Sequence, residues 1–298
     1  MRLPVRTYAR VLKGTVMSLF QDDELQVAKA AAYSAFLSFF PILTSFLAIL
    51  VNLKAEFVSQ ITTKFLFEFI PPGSEQLLKN QIERSLVRGG ERPLHLLILS
   101  GIIAVWAAAG VVGSLITGFN RMYKVQPRPV IAGQLRSMSL VVGAFVPLVL
   151  ASSLIIFGGV IDGFMVRWLS PEAGFASWWT TLYGFTRYVI AFAGTASVTC
   201  IMYYFGPNRR QHFRYVWRGA TITTVLWVGV TSLFSAYVRN MANYNVIYGS
   251  IGTGIALLVW MYLLAIMAIL GCAFNVHFEE LLGKRTKQPK RTPVQVSS

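Results

Sequence analysis

Six apolar runs of about twenty residues constrain this chain more than any other feature of its sequence. Each run is long enough to cross a hydrocarbon core roughly 30 Å thick as a helix. Of the 298 residues, 55% are hydrophobic and only 13% are charged, and the mean hydropathy is +0.57, which excludes an ordinary soluble domain. We therefore predict an all-α, polytopic membrane protein with six transmembrane helices, over residues 30–53, 94–117, 138–161, 182–205, 216–238 and 250–275.

The positive charges lie mainly on one side of these predicted spans. The two terminal segments and the connections after the second and fourth spans carry 17 Lys and Arg residues, whereas the alternate connections carry eight. Because basic residues are enriched on the cytoplasmic side of membrane proteins, both termini are predicted to be cytoplasmic. Topology and attraction to anionic headgroups then explain the net charge of +15, so we expect membrane lipids as partners, and no nucleic acid.

One connection is too long and too regular for a simple loop. Residues 54–93 contain two amphipathic stretches separated by prolines, and Ser74 after the prolines is a suitable cap for a second helix. We predict an amphipathic helical cap here, between helices 1 and 2 on the outer side. The chain is then a single transmembrane domain over 1–283 followed by a disordered, basic cytoplasmic tail over 284–298.

Two prolines lie inside predicted spans and indicate bends. Pro41 falls in the first span and Pro147 in the third. Proline removes a backbone hydrogen bond and kinks a helix. Two interpretations stay open: a broken helix that lines a cavity, as in transporters, or a kink whose backbone groups are satisfied by neighbouring Ser and Thr side chains.

Small residues in the second span predict a close helix contact. Trp106, Gly110, Ser114 and Gly118 recur every four residues, so they are expected to share one face and to let another helix approach closely. Such a face serves contacts within a subunit and between subunits equally well. The oligomeric state is therefore left open.

An arginine inside the fourth span is the first candidate for a functional residue. Arg187 lies about one and a half turns from the outer end of that span. An ionisable residue within a span is costly and indicates a functional site by default, and its nearest expected partner by depth is Asp162. The alternative is that Arg187 snorkels to the nearby outer interface.

A polar stretch before the sixth span is the second candidate. It contains Asn240, Asn243, Asn245, Gly249 and Gly252. The predicted outer connection over 239–249 includes the asparagines, whose side chains can satisfy backbone groups in a tight turn. The glycines permit close helix contact or local unwinding. The asparagines are thus expected either to hydrogen-bond the backbone or to contact a polar headgroup near Arg187.

The sequence lacks the constellations that enzymes and metal sites require. His95, His212 and His277 are far apart, and no His, Cys, Asp or Glu cluster has metal-ligand spacing. No phosphate-binding loop, nucleophile elbow or dinucleotide fingerprint is present. We therefore predict no catalytic residue, no metal and no cofactor, and we expect that the protein is not an enzyme.

Three stretches resemble a known family. They are "GFNRMYKV" at 118–125, "FGPNRRQHFRYVWRGA" at 205–220 and "YVRNMANYNVIYGSIGTGIALLVWMYLLAIMAILGCAFN" at 237–275. Together they resemble the YihY/BrkB family of bacterial inner-membrane proteins, once described as ribonuclease BN, over nearly the whole chain. The resemblance implies a six-span bundle in the inner membrane with cytoplasmic ends. It assigns no substrate-binding residues.

The resemblance also bears on function, because other members have been linked to serum resistance and to export of lipid A precursors. It implies a transporter or flippase of a lipid or envelope precursor. The alternative is a membrane scaffold for envelope assembly that transports nothing. Ribonuclease activity is not expected, since the sequence contains no nuclease site.

Overall fold

The computed structural model describes residues 14–18, 24–52, 94–169, 173–240 and 244–281. These residues form a short helical segment over 14–18 and six long helices, and they include no strand. The helices are α1 Glu24–Asn52, α2 Leu94–Met122, α3 Val130–Leu169, α4 Ala173–Phe205, α5 Phe213–Asn240 and α6 Tyr244–Leu281. The all-helical prediction is confirmed, whereas the predicted cap over 54–93 and the tail over 284–298 lie outside the described residues.

Each long helix contains a segment that is long and apolar enough to cross a membrane, which confirms the count of six. The segments are Glu24–Ser45, Ile98–Met122, Val130–Ile155, Thr181–Phe205, Phe213–Val238 and Gly254–Glu280. The helices exceed the predicted spans because polar residues at their ends continue the helix beyond the apolar run. α3 is the extreme case, since its 40 residues extend for about 60 Å.

The connection between α5 and α6 is shorter than the predicted 239–249. α5 continues to Asn240 and α6 already begins at Tyr244, so Asn245, Gly249 and Gly252 belong to α6. Asparagine is favoured at helix ends as well as in loops, which explains why an Asn-rich stretch was mistaken for a longer connection. Asn243 lies outside the described residues, directly before α6.

The six helices form a ring in which each packs against the next in sequence and α6 returns to pack against α1, while α2 also contacts α6. Successive helices run in opposite directions. We call the end at which α1 begins and α6 ends the basal end, and the opposite end the apical end. The helix termini at the basal end are Glu24, Met122, Val130, Phe205, Phe213 and Leu281.

The main core lies in the basal half of the ring. Five helices contribute to it, and Phe119 of α2, Tyr203 of α4 and Ile269 of α6 are almost completely buried there. A second, smaller core joins α2 to α3, with Ala109, Val112, Ile116, Leu140 and Val141. Both cores tie successive helices together at the same end of the molecule.

Burial among the described side chains falls towards the apical end. In α4, none of residues 181–193 is buried, although four of the residues that follow are. In α2, none of the side chains 98–108 is buried, and in α5 the stretch 225–238 has one buried residue, Phe234. The described parts of α2, α4 and α5 are therefore tightly packed in the basal half and loosely packed in the apical half. α1 and α6 keep buried residues in the apical half, among them Leu43, Ser45, Gly252 and Leu257.

Candidate functional site

The basal end is organised by the turn that ends α2. Lys124 has a positive φ of 53°, Val125 N donates to Asn120 O at 2.9 Å, and Lys124 N donates to Arg121 O at 2.8 Å. This is the hydrogen-bond pattern of a Schellman cap, in which the residue after the helix adopts the left-handed conformation. The cap reverses the chain and leaves Tyr123 buried against the core.

Two asparagines join this turn to the connection between α4 and α5. Asn208 N donates to Asn120 Oδ1 at 2.8 Å, and Asn208 Nδ2 donates to Gln126 O at 3.0 Å. Asn120 itself is buried. Asn208 thus joins the α4–α5 connection to the α2–α3 connection through both its backbone and its side chain.

An ion pair lies beside these connections. Arg209 Nη2 is 2.6 Å from Glu279 Oε1, and both side chains are largely buried, with 13% and 11% of their surface exposed. The Arg209 guanidinium also lies over the Tyr123 ring, 4.6 Å from its centre. The Tyr123 hydroxyl donates to Gln211 Oε1 at 2.9 Å. We call Tyr123, Arg209, Gln211 and Glu279 the basal ionic cluster.

Burial raises the pKa of the Tyr123 phenol well above its ordinary value of 10.0. Electrostatic interactions with the nearby Cys272 and Glu279 act in the same direction, whereas Arg209 and the hydrogen bond to Gln211 oppose it. The phenol therefore stays protonated at neutral pH. It can donate a hydrogen bond, and it is not a base.

Directly above the cluster, α5 and α6 meet through an amide and a glycine. Gly219 N donates to Asn275 Oδ1 at 2.9 Å, and Asn275 Nδ2 lies 3.4 Å from Val216 O. A methyl group on Gly219 would overlap the Asn275 side chain. The absence of a side chain at 219 is therefore what lets the buried amide reach the backbone of α5.

One turn deeper, a tyrosine links three helices. The Tyr203 hydroxyl of α4 lies 2.5 Å from Ala268 O of α6 and 2.7 Å from Thr223 Oγ1 of α5. Because a phenol carries one proton and donates it to the carbonyl, Thr223 must donate to Tyr203. A methyl group on Gly271 would overlap Thr223 Oγ1, so this junction also depends on a glycine.

A carboxylate lies inside the basal half. Glu24, in the first turn of α1, is fully buried. A methyl group on Gly118 would lie 3.2 Å from Glu24 Oε2 and 3.1 Å from Val27 Cγ1. Acidic side chains are favoured at helix N-termini, which is the local reason for Glu24 at this position.

Arg187, the first predicted site residue, lies in the apical half of α4. Its side chain is half-buried, with the guanidinium 5.6 Å from the centre of the Tyr188 ring. Tyr183 and Gly194, on the same helical face, both contact α3: the Tyr183 hydroxyl donates to Ile155 O at 2.9 Å, and Gly194 packs on Ala151. Arg187 therefore lies on the side of α4 that faces α3.

The backbone register allows a comparison with Asp162. These contacts place Arg187 about one to three turns on the basal side of Asp162 in α3. Side chains in a helix lean towards its N-terminus, which in α4 is apical. The arginine side chain thus leans towards the level of Asp162, and their pairing stays a prediction.

The other predicted residues fall into two groups. The first group is the two prolines: α1 is helical through Pro41, and α3 is helical through Pro147. One turn after Pro41, Ser45 Oγ of α1 donates to Ser100 O of α2 at 2.7 Å. Asn240, Asn245 and Gly249 lie at the apical helix ends, and Gly252 is buried.

In α2, the expected small-residue face divides along its length. Gly118 makes the close contact with α1 and α6, whereas nothing in the described chain lies within 4 Å of a methyl group placed on Gly110. Ser114 donates to Gly110 O of its own helix at 3.0 Å, and Trp106 is 62% exposed. Residues four apart differ by about 40° around a helix, so Trp106 and Gly118 are roughly 120° apart.

The basal ionic cluster was missed by the sequence interpretation. Tyr123 and Arg209 lie within the stretches that carry the family resemblance, yet no role was assigned to either. Glu279 lies just beyond the last predicted span, and in the structure it is buried. The signal that could have found the cluster is the opposite charge of Arg209 and Glu279, which follow two spans predicted to end on the same side of the membrane, with Tyr123 after a third.

The described residues contain no group of three His, Cys, Asp or Glu that could hold a metal ion. The basal site consists of an ion pair, amides and hydroxyls that already bond to one another across helices. These bonds hold the helix ends and the two connections together at the basal end.

The chain is similar in sequence to a family of known proteins. Residues 16–295 match the family described as "Virulence factor BrkB". The chain is 30% identical to the ribonuclease-like protein YfkH of Bacillus subtilis over 264 residues, which is 88% of this chain and 91% of that protein. A UPF0761 membrane protein of Vibrio vulnificus is 24% identical over 91% of this chain and 83% of its own. One from Idiomarina loihiensis is 38% identical over 80 residues, 27% of this chain and 28% of its own. No solved structure matches the chain significantly.

Proposed function

The chain belongs to the family of the virulence factor BrkB, and from that premise we propose that it is a multi-pass protein of the bacterial inner membrane that moves a lipid or envelope precursor. It acts as a transporter or flippase and carries out no chemical reaction on its cargo. The basal end is cytoplasmic, following the excess of Lys and Arg on that side.

The observation that carries this proposal is the unequal packing of the bundle. Alternating access needs one end of a bundle to be closed while the other end can open. A scaffold makes no such demand on its packing. Here the basal half is closed by buried apolar cores and the basal ionic cluster, and the described apical parts of α2, α4 and α5 are almost without buried side chains.

We assign Arg187 as the residue that binds the cargo in the apical half. A half-buried guanidinium on the side of α4 that faces α3 offers a positive charge to a phosphate or carboxylate headgroup. Asn240 and Asn245, at the apical ends of α5 and α6, and Asn243 between them supply amides for the polar part of the same headgroup.

A specific observation favours a second candidate, the non-transporting scaffold. The basal junctions at Gly219 and Gly271 leave no room for even a methyl group, which fits helices that hold a fixed arrangement. In that case the exposed basic residues at the basal end, including Arg121, Lys124 and Arg210, would bind partners or lipid headgroups.

A lipid-translocation assay in proteoliposomes tests the proposal. A fluorescent phosphatidylglycerol probe is followed by dithionite quenching in vesicles that contain the intact chain, Arg187→Ala, or the double variant Asn243→Ala/Asn245→Ala. Arg210→Ala is the matched control, because it removes the same charge from an exposed position at the other end. We expect movement with the intact chain and the control, and its loss with Arg187→Ala at equal insertion and thermal stability.

Two outcomes would overturn it. Movement that both sets of variants leave unchanged would remove Arg187 and the asparagines from the pathway. No movement of anionic, zwitterionic or glycolipid probes by the intact chain would favour the scaffold. Because YfkH is named as ribonuclease-like, the same preparation is incubated with RNA and Mg²⁺ or Mn²⁺, and specific cleavage would replace both candidates with a nuclease.

A further inference from the structure

Two arginines at the basal end donate hydrogen bonds to the end of α4 and to the residues directly after it. Arg128 lies just before α3 and Arg136 lies in its second turn. Arg128 Nη1 donates to Gly206 O at 2.6 Å and its Nη2 to Pro207 O at 3.0 Å. Arg136 Nε donates to Phe205 O at 2.9 Å, with the guanidinium 5.3 Å from the centre of the Phe205 ring. Both positive charges are thus held against one helix end.

No carboxylate among the described residues balances the charge at this place. Within the part of the chain that the structure describes, no carboxylate forms an ion pair with Arg128 or Arg136. A helix C-terminus contributes only about half a negative charge against two positive ones. Partial burial is the main reason that the pKa of Arg128 is lowered, and the nearby positive charge of Arg136 acts in the same direction. An anion from outside the protein would neutralise it.

An exposed apolar face of α3 begins at the level of this pair, roughly a third of a turn around the helix from Arg136. The face continues into the membrane-spanning part of α3 through Val142 and Val146, which are 56% and 61% exposed. Val130, Ile131 and Leu135, in the first two turns of α3, are 89%, 78% and 63% exposed. Large apolar side chains with this exposure fit contact with acyl chains. The depth also fits, because the segment of α3 that is long and apolar enough to cross a membrane begins at Val130, which puts Arg128 at the edge of the hydrocarbon core.

We infer that Arg128 and Arg136 bind the phosphate of an anionic phospholipid whose acyl chains lie along Leu135, Val142 and Val146. The guanidinium N–H groups that are not used on α4 carbonyls donate to the phosphate oxygens, a charge-assisted contact that suits arginine. The lipid bridges the start of α3 and the end of α4. This site is separate from Arg187 and does not depend on whether the protein transports anything.

The wild-type chain alone gives the first test. The full-length protein is purified in detergent, and bound lipid is measured by native mass spectrometry and by the shift in melting temperature on adding phosphatidylglycerol, phosphatidylcholine or inorganic phosphate. We expect phosphatidylglycerol to bind and to raise the melting temperature, with little effect from the other two. Equal stabilisation by phosphatidylcholine would overturn the anionic site, and equal stabilisation by inorganic phosphate would show a soluble-anion site without a lipid.

Variants locate the site. Arg136→Gln removes one charge but keeps both Arg128 contacts, to Gly206 and Pro207, and Leu135→Asp places a negative charge where an acyl chain is expected. Arg210→Gln is the control, since it removes the same charge from an exposed residue at the same end. We expect each site variant to weaken phosphatidylglycerol binding about fivefold or more and the control to leave it within twofold. Equal weakening by the control would mean nonspecific attraction to the basic end, and unchanged binding in both site variants would refute the site.

Discussion

The side-chain amide of Asn275 lies directly against Gly219 and accepts a 2.9 Å hydrogen bond from its backbone N–H. The contact joins α5 to α6 one turn above the basal ionic cluster. The contact has two requirements. Position 219 must have no side chain, and position 275 must supply a hydrogen-bond acceptor.

Replacing Gly219 with alanine is expected to separate these helices. The added methyl group would overlap Asn275, and overpacking of a well-packed site costs about 1–3 kcal/mol of unfolding free energy. Gly229→Ala on the same helix is the control, because nothing lies within 4 Å of a methyl group there and alanine is the better helix former. The unfolding free energies of both variants are measured in mixed micelles with increasing SDS. Equal stability of the two variants would contradict the packing argument.

Tyr123 should contribute to the alkaline limit of stability. Its pKa is raised in the folded state, so above about pH 10 the folded chain binds more protons than the unfolded chain. Stability from this residue is therefore fully present below pH 10 and is lost as the pH rises through the higher folded pKa. We expect Tyr123→Phe to lose about 1 kcal/mol at neutral pH with its hydrogen bond to Gln211.

The test of Tyr123 is the slope of stability with pH. Melting temperatures of the wild type and Tyr123→Phe are compared between about pH 9 and 11.5. The difference between them should shrink as the pH rises, because only the wild type loses stability through Tyr123. Tyr188→Phe is the control, since Tyr188 is exposed in the apical half. Parallel curves for all three proteins would show that Tyr123 titrates alike in both states.

The sequence predicts the six helices because length and apolarity alone decide whether a segment can span a membrane. It does not predict which helix faces meet. Glu279 and Arg209 are 70 residues apart, and no local pattern distinguishes their buried pairing from two solvated charges. Helix ends at Asn240 and Tyr244 were also missed, since Asn is as common in turns as at helix ends.

The glycines of α2 show the same limit and allow a direct test. Gly118→Ala would place its methyl group 3.1 Å from Val27 Cγ1 and 3.4 Å from Ile269 Cγ1 in a three-helix contact, so we expect a loss of about 1–3 kcal/mol. Gly110→Ala has open space around it and should be neutral or stabilising by up to about 1 kcal/mol. If Gly110→Ala instead shifts the oligomeric state in size-exclusion chromatography with light scattering, that face contacts another subunit.

The ion pair of Arg209 and Glu279 yields the sharpest prediction about the basal end. Removing one partner of a largely buried pair leaves the other charge without its counterion, which costs about 3–5 kcal/mol, whereas replacing both with apolar groups of similar size is often nearly neutral. Arg209→Met and Glu279→Met should each destabilise the chain strongly, and the double variant should recover most of the loss. Arg210→Met, at the exposed neighbouring residue, should change the unfolding free energy by less than about 0.5 kcal/mol. A double variant whose loss equals the sum of the two single losses would mean that the pair contributes no coupling energy, and that the basal half is held closed by its apolar core and glycine contacts alone.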